Sequence, residues 1–328
     1  MLGYIVRRVL YMIPTLIIIS VIAFIIIELP PGDYLTAYMA NLASTGTEAS
    51  QDQIAALKRQ YGLDRPLYIR YLRWIWRLLH GDMGVSFEWN RPVSELIWER
   101  LALTFVMSLL TTLFIWAVAF PIGIYSAVKQ YSIGDYVFTA ISFIGLGLPN
   151  FMIALVFLWI AFSKWGVALT GLFSPEYVNA PWSLAKVLDM LKHMWVPVIV
   201  LGTSGTAGLI RTMRANLLDE LHKPYVITAR ANGLSETKLL FKYPVRIAIN
   251  PFISTIGWTL PSLVSGATII SVVLSLPTTG PLLLNALLNQ DMYLAGSFIM
   301  MLSVLTVIGT LISDILLAWV DPRIRYEG

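Results

Sequence analysis

Six stretches of this 328-residue chain, at about 9–29, 101–128, 136–162, 195–210, 252–274 and 297–320, are apolar over lengths that meet or approach what a membrane-crossing helix needs, which is roughly 20 residues. A backbone in hydrocarbon must satisfy its own polar groups, so such runs are read as helices. Composition leaves them no other home. The chain is 57% hydrophobic and only 13% charged, with a mean hydropathy of +0.72, where soluble domains are about half apolar and a quarter charged. That balance excludes a soluble enzyme. Low charge, 22 Gly and 17 Pro without period, and zero Cys exclude a disordered, collagenous or disulfide-stapled chain, a thiolate metal site and a Cys nucleophile. The expected fold is all-α: a polytopic membrane protein of six transmembrane helices. Its fourth span is the least apolar, because Gly202-Thr-Ser-Gly-Thr-Ala-Gly208 is rich in small residues. Such residues let helices approach closely, which predicts a span buried within the bundle.

The run after Arg7-Arg8 is longer than a signal-peptide core, and no small-x-small site closes it before Leu29-Pro30-Pro31-Gly32. It is read as a retained first helix. Lys and Arg favour the cytoplasmic side of short loops. Arg7, Arg8, Lys129, Arg211, Arg214, Lys223, Arg230, Lys238, Lys242, Arg246, Arg323 and Arg325 fall on one side, whereas the loop 275–296 has no basic residue. The expectation is an inner-membrane, multi-pass protein with both termini cytoplasmic. The net charge of +4 is then a loop bias, with no nucleic-acid partner implied. In linear order the segments are a first helix (1–29), an extracytoplasmic helical loop region (30–100), a transmembrane domain (101–320) with a cytoplasmic loop at about 211–250, and a cytoplasmic tail (321–328).

The first external loop has its own helical grammar. Ser50-Gln51-Asp52-Gln53 reads as a capping box, Gly62 suits the position after a helix, and Pro66 opens a second helix. There Tyr68, Leu72, Ile75, Trp76 and Leu79 recur at helical spacing, Arg70, Arg73 and Arg77 take another face, and His80 to Gly84 forms a tight turn. This region either lies in the membrane interface or forms a cap for a soluble partner. Between 163 and 194, Trp165 and Trp182, with Trp195 just beyond, suit an aromatic belt.

The cytoplasmic loop is richer. Pro224 suits the first helical position, Tyr225 to Asn232 a short helix, Gly233 its C-terminal stop, and Ser235 the cap of a second helix ending before Pro244. Small Ala229, Ala231 and Gly233 leave the backbone accessible. Two readings are open: a knob seated in a pocket of another protein, or a basic helix on anionic lipid.

Catalytic equipment is sparse. There is no phosphate-cradling Gly-x-x-x-x-Gly-Lys-Ser/Thr, and Gly233-Leu-Ser-Glu-Thr-Lys238 lacks its second Gly. His80, His193 and His222 lie in separate loops, so neither a metal site nor a membrane enzyme is expected. Within spans the carboxylates are Glu28 and Asp314, near opposite ends. An ion-coupled secondary transporter would place ionisable groups near the midplane, so it is the weaker alternative.

Tyr225-Val-Ile-Thr-Ala-Arg-Ala-Asn-Gly-Leu-Ser235, followed by Arg246-Ile-Ala-Ile-Asn-Pro251, resembles the loop by which permeases of ATP-binding-cassette (ABC) importers engage their ATPases, in the dipeptide/oligopeptide/nickel branch. In chain order, Tyr4-Ile-Val-Arg-Arg8, Ile13-Pro-Thr15, Pro31-Gly-Asp33, Tyr61-Gly-Leu-Asp-Arg-Pro66, Gly81-Asp-Met-Gly-Val-Ser86 and Asp321-Pro-Arg-Ile-Arg-Tyr326 extend the likeness over nearly the whole chain. The resemblance implies a type I ABC importer permease fold with an extracytoplasmic helical insertion after the first helix. It also implies the partners: a homologous second permease, two ABC ATPase subunits that bind the ATP, an external substrate-binding protein and the lipid bilayer. The chain itself would be no enzyme and hold no cofactor. Tyr225, Thr228, Ala229, Arg230, Ala231, Gly233, Leu234 and Ser235 would form the ATPase-coupling helix and its turn, with Ala229 and Gly233 required small and Arg230 meeting an acidic surface. Two departures touch the substrate. Ser271 stands where the branch has Glu, and Gln290-Asp291 where it has Arg-Asp. An outer mouth short of charge makes a neutral oligosaccharide an alternative to the di- or oligopeptide expected of the branch.

Overall fold

The computed structural model describes residues 2–29, 64–254 and 268–320, with isolated positions between 35 and 62. The described helices, in chain order, are α1 (Leu2–Glu28), α2 (Leu67–Leu79), α3 (Val93–Val128), α4 (Ile133–Gly147), α5 (Asn150–Trp165), α6 (Leu184–His193), α7 (Trp195–Leu221), α8 (Pro224–Ala231), α9 (Glu236–Lys242), α10 (Pro244–Ser254), α11 (Thr268–Val273), α12 (Thr279–Leu288) and α13 (Met292–Val320). Four of them, α1, α3, α7 and α13, are long and apolar enough to cross a membrane, and α4 with α5 can count as a fifth. Most of the expected fifth span, 252–274, lies outside the described residues, as do the Ser50 capping box and the side chain of Asp314.

The expected third span, 136–162, is not one straight helix. It is broken at Leu148-Pro149 and bent by 99°. Pro149 has no N–H to continue the ladder, and its ring drives the preceding residue out of helical space. Leu148 accordingly sits at φ −91°, ψ 126°. The helices α1, α3, α7 and α13 run longer than the apolar stretches expected for them. α3 begins eight residues before 101, and α7 continues past 210 to Leu221.

The chain forms two compact units. The first holds Met1–Thr104 and Thr278–Gly328, with Gly257–Thr268. Its core is built from Phe24 and Ile27 of α1, Trp74 of α2, Leu96 and Ile97 of α3 and Phe298 of α13. Here the sequence's helical face is reversed. Trp74 is 1% exposed and packs inward with Tyr71, Ile75 and Leu78, whereas Leu67, Tyr68, Leu72, Trp76 and Leu79 are exposed, Trp76 at 67%. The helix is apolar on both sides, so spacing alone could not tell which side the protein covers. Arg70 leaves its basic face to pair with Glu28 at 2.6 Å, both side chains being mostly buried.

One contact in this unit joins two of the recognised motifs. Gly84, at φ +84°, starts a tight return that brings Val85 opposite Pro92 and Ser86 back onto Arg91 before α3 begins. Only Gly fits there, because a Cβ would lie 2.8 Å from the Tyr293 ring. Ser86 Oγ then donates to Asp291 at 2.5 Å, the Glu88 N–H donates at 3.3 Å, and the Leu294 N–H donates at 3.2 Å. Asp291 is thus a fully buried N-cap for α13 that also holds the 81–86 motif. Burial pushes its carboxyl above the usual carboxylate range, against the pull of those donors.

The second unit holds Phe105–Ile256 with Ile269–Pro277. α7 is its axis, with α4, α5 and α10 packed along it. The expected close approach of small residues is present: a Cβ on Gly202 would lie 2.6 Å from Phe114, and one on Gly205 2.6 Å from Ile115. The segment 163–194 is more than an aromatic belt. Trp165 and Trp182 are exposed as a belt requires, yet α6 ties the segment into a folded element. Ser183 caps it, Asp189 accepts from Ser174 N and Oγ at 2.7 Å, and Lys186 is buried between the Phe173 and Trp182 rings while donating to Ala180 O at 2.6 Å.

Candidate functional site

The expected helix–turn–helix forms at the end of α7. Pro224 occupies the first turn of α8, where its missing N–H costs nothing. At the other end the Leu234 N–H reaches Ala229 O at 3.4 Å and the Gly233 N–H reaches Arg230 O at 3.0 Å. That pair of bonds is a Schellman stop, and it requires the left-handed φ of +78° found at Gly233. Ser235 precedes α9 in extended geometry, but its hydroxyl makes no capping bond.

Glu220, in the last turn of α7, fixes this motif to the long helix. It accepts from Lys223 Nζ at 2.5 Å and from the Tyr225 hydroxyl. Burial, then the hydrogen bond to that carboxylate, pushes the Tyr225 phenol up to about 12, so it stays a donor. Tyr225 also stands edge-on to Tyr243, with ring centroids 6.5 Å apart. Val226 and Leu239 are fully buried, and α10 returns to α7 through Val245, Ala248, Met213 and Leu217. α8 is therefore braced against a span on one side and open on the other, where Ile227, Thr228, Arg230, Ala231 and Gly233 are exposed and Ala229 is half-buried.

The residues expected in this site fall in α8 and the turn that follows it. Arg230 is engaged inside the loop: its Nε and Nη2 donate to Glu236 at 2.6 and 3.1 Å. The pair straddles the Gly233 turn, and each side chain remains about half or more exposed, at 49% and 67%. The Glu220 anchor was absent from the sequence reading. Its signal was a carboxylate three residues before Lys223 and five before Tyr225, a spacing that only the bend after Leu221 turns into contact.

At the α4–α5 break Asn150 Nδ2 donates to Ser204 at 3.1 Å, while Asn150 Oδ1 is buried without a partner. The histidines are apart, each ring Nδ1 lying 2.7–2.8 Å from the carbonyl oxygen four residues back. Among the described residues no group of acids and histidines could hold a metal.

Long apolar helices with a braced helix–turn–helix at the end of one of them define a polytopic membrane protein built to present an exposed knob. The chain belongs to the family described as the binding-protein-dependent transport system inner membrane component, which it matches over residues 119–326, with the family's N-terminal component matching 1–108. The oligopeptide transport system permease protein AppB of Bacillus subtilis (strain 168) is 36% identical over 99% of this chain and 100% of its own length. The dipeptide transport system permease protein DppB of Escherichia coli (strain K12) is 29% identical over the whole of both chains. The glutathione transport system permease protein GsiC of Salmonella paratyphi A is 32% identical, again over both whole chains.

Proposed function

We propose that this chain is one permease subunit of an ABC importer for di- and oligopeptides, forming half of the translocation pathway and coupled through α8 to a separate ATPase. The observation that carries the proposal is the bracing of α8: Glu220 ties both Lys223 and Tyr225 to α7, so a push on the exposed face moves a span and not merely a loop. In this reading both termini and the 211–250 loop are cytoplasmic, and the partners are a second permease, two ATPases and an external binding protein. The names of the relatives favour peptides. The argument for a neutral sugar weakens at Ser271, which is buried and so is no part of an open mouth, while Gln290, standing where the branch has Arg, is half-buried.

The chain has no phosphate-cradling loop. Purified alone it is expected to hydrolyse ATP at background, and hydrolysis stimulated by binding protein and peptide should appear only on reconstitution with the partners. Clear turnover by the pure chain would overturn the assignment.

The exposed face of α2 supports an interfacial position for this helix at the outer surface. Deleting it would remove Trp74 from the core, so the test is made on its surface. The chain has no cysteine, which makes the exposed positions in Leu72→Cys and Glu88→Cys clean sites for spin labels in nanodiscs. The label at 72 is expected to be relaxed by oxygen and shielded from an aqueous nickel chelate, and the label at 88 the reverse. Equal aqueous exposure would instead mark the face as a dock for a soluble partner.

A further inference from the structure

A cavity of about 250 Å³ opens between α4 and α7 in the second unit. Arg211, Arg214, Thr139 and Ser142 line it together with apolar Phe143, Leu146 and Ile210, and along α4 the polar Thr139 comes before Phe143 and Leu146. The charges differ in availability. Arg214 is neutralised by Asp135, which accepts from its Nε and Nη2 at 2.9 Å each. Arg211 is exposed and has no carboxylate within ion-pair distance among the described residues. Thr139 and Ser142 are turned to their own helix, toward Asp135 and the Phe138 carbonyl. The cavity therefore carries one uncompensated cation.

Position gives that charge its meaning. The apolar stretch of α7 ends at Ile210, and Arg211 is the first cation after it. From Arg211 to Leu221 the helix climbs about 15 Å at 1.5 Å per residue, toward the braced loop. Arg211 thus stands at the headgroup level of the leaflet on the side of that loop. On α4, Phe143 and Leu146 lie deeper in the membrane than Asp135 and Thr139, and Phe143 is 60% exposed. A pocket that is cationic at headgroup level and apolar below it has the pattern of an anionic phospholipid.

We propose that this cavity holds one anionic phospholipid, its phosphate on Arg211 and the start of an acyl chain along Phe143 and Leu146. A soluble anion would satisfy the arginine but leave the apolar wall uncovered, and a zwitterionic lipid would place its own cation beside Arg211. The Asp135–Arg214 pair borders the site and joins its two helices, so lipid bound there would bear on how α4 moves against α7. The proposal leans on the permease reading only in naming the leaflet as cytoplasmic.

The test is native mass spectrometry of the purified full chain, without partner subunits, so that its failure leaves the permease assignment standing. The probes are phosphatidylglycerol, phosphatidylcholine with the same acyl chains, and inorganic phosphate. Wild type is expected to retain one phosphatidylglycerol in preference to phosphatidylcholine. Arg211→Gln should lower that retention roughly fivefold, the worth of one basic residue at a lipid surface, and Arg211→Lys should restore most of it. Leu146→Trp keeps both arginines and fills the apolar part, and it too should weaken retention. Arg214 is left alone, because removing it would strand a buried carboxylate. Three results would each overturn the proposal: equal retention of the two lipids, wild-type retention by Arg211→Gln, or displacement of phosphatidylglycerol by millimolar phosphate.

Discussion

In vesicles carrying the reconstituted importer, Gly233→Glu is expected to take up peptide at least about tenfold more slowly than wild type, with assembly preserved. Within this chain the position is open: a Cβ on Gly233 would meet no atom within 4 Å. The intramolecular cost is therefore backbone strain, about 1–2 kcal/mol for a side chain at the observed left-handed φ, together with a carboxylate at the unfavourable end of the α8 dipole. The new acid also sits beside the Arg230–Glu236 pair that closes the turn and competes for its arginine. On the proposed coupling role the larger effect comes from outside, because extra volume on the exposed knob would block seating in a close-packed cleft, at a cost of roughly 1–3 kcal/mol. Gly233→Ala separates the two contributions, since it carries the strain with little volume. The measurements are uptake and ATPase rates for the three proteins at equal complex. Wild-type uptake by the Glu variant would make α8 a passive interfacial helix.

The helix–turn–helix after α7 was legible almost residue by residue, because its determinants are local. Pro224 at a helix start and Gly233 at a helix stop act through their own φ and the absence of one N–H, and such rules need no knowledge of the rest of the fold. The α4–α5 break was equally local in cause, since Pro149 stands in the sequence. A hydropathy window passes over it because Leu148 and Phe151 on either side are apolar. The orientation of α2 was not legible. Tyr71, Trp74, Ile75 and Leu78 form one apolar face and Leu67, Tyr68, Leu72, Trp76 and Leu79 another, and a membrane protein can bury either in protein and leave the other to lipid. The burial of Asp291 was hidden for a related reason. A carboxylate between two apolar helices looks solvent-facing until Ser86, 205 residues earlier, is seen to donate to it. Arg230, expected to meet an acidic surface, also has a partner inside the chain, Glu236, only six residues away.

The Asp291 contact gives the largest effect expected on stability. Asp291→Ala removes the N-cap of α13, worth about 1 kcal/mol, and leaves the Ser86 hydroxyl and the Glu88 N–H facing a hole, at about 1–3 kcal/mol for a buried unsatisfied donor. The total is on the order of 3 kcal/mol, and the expected result is a midpoint of thermal unfolding in detergent several degrees below wild type. Ser86→Ala should cost about 1 kcal/mol, because Asp291 keeps its two backbone donors; it also frees the Trp89 N–H that Ser86 accepts at 3.1 Å. Asp291→Asn is expected between the two: its carbonyl can still cap Leu294, but its amide then meets the Glu88 N–H donor to donor. A direct role in recognising peptide gives the opposite signature, with wild-type melting for all three variants and a raised KM for uptake in the two that change Asp291. That outcome would return Asp291 to the mouth and make its burial irrelevant to stability. The order Ala, Asn, then Ser86→Ala in melting temperature, lowest first and with KM unchanged, identifies the residue as the clamp between the 81–86 turn and the last span.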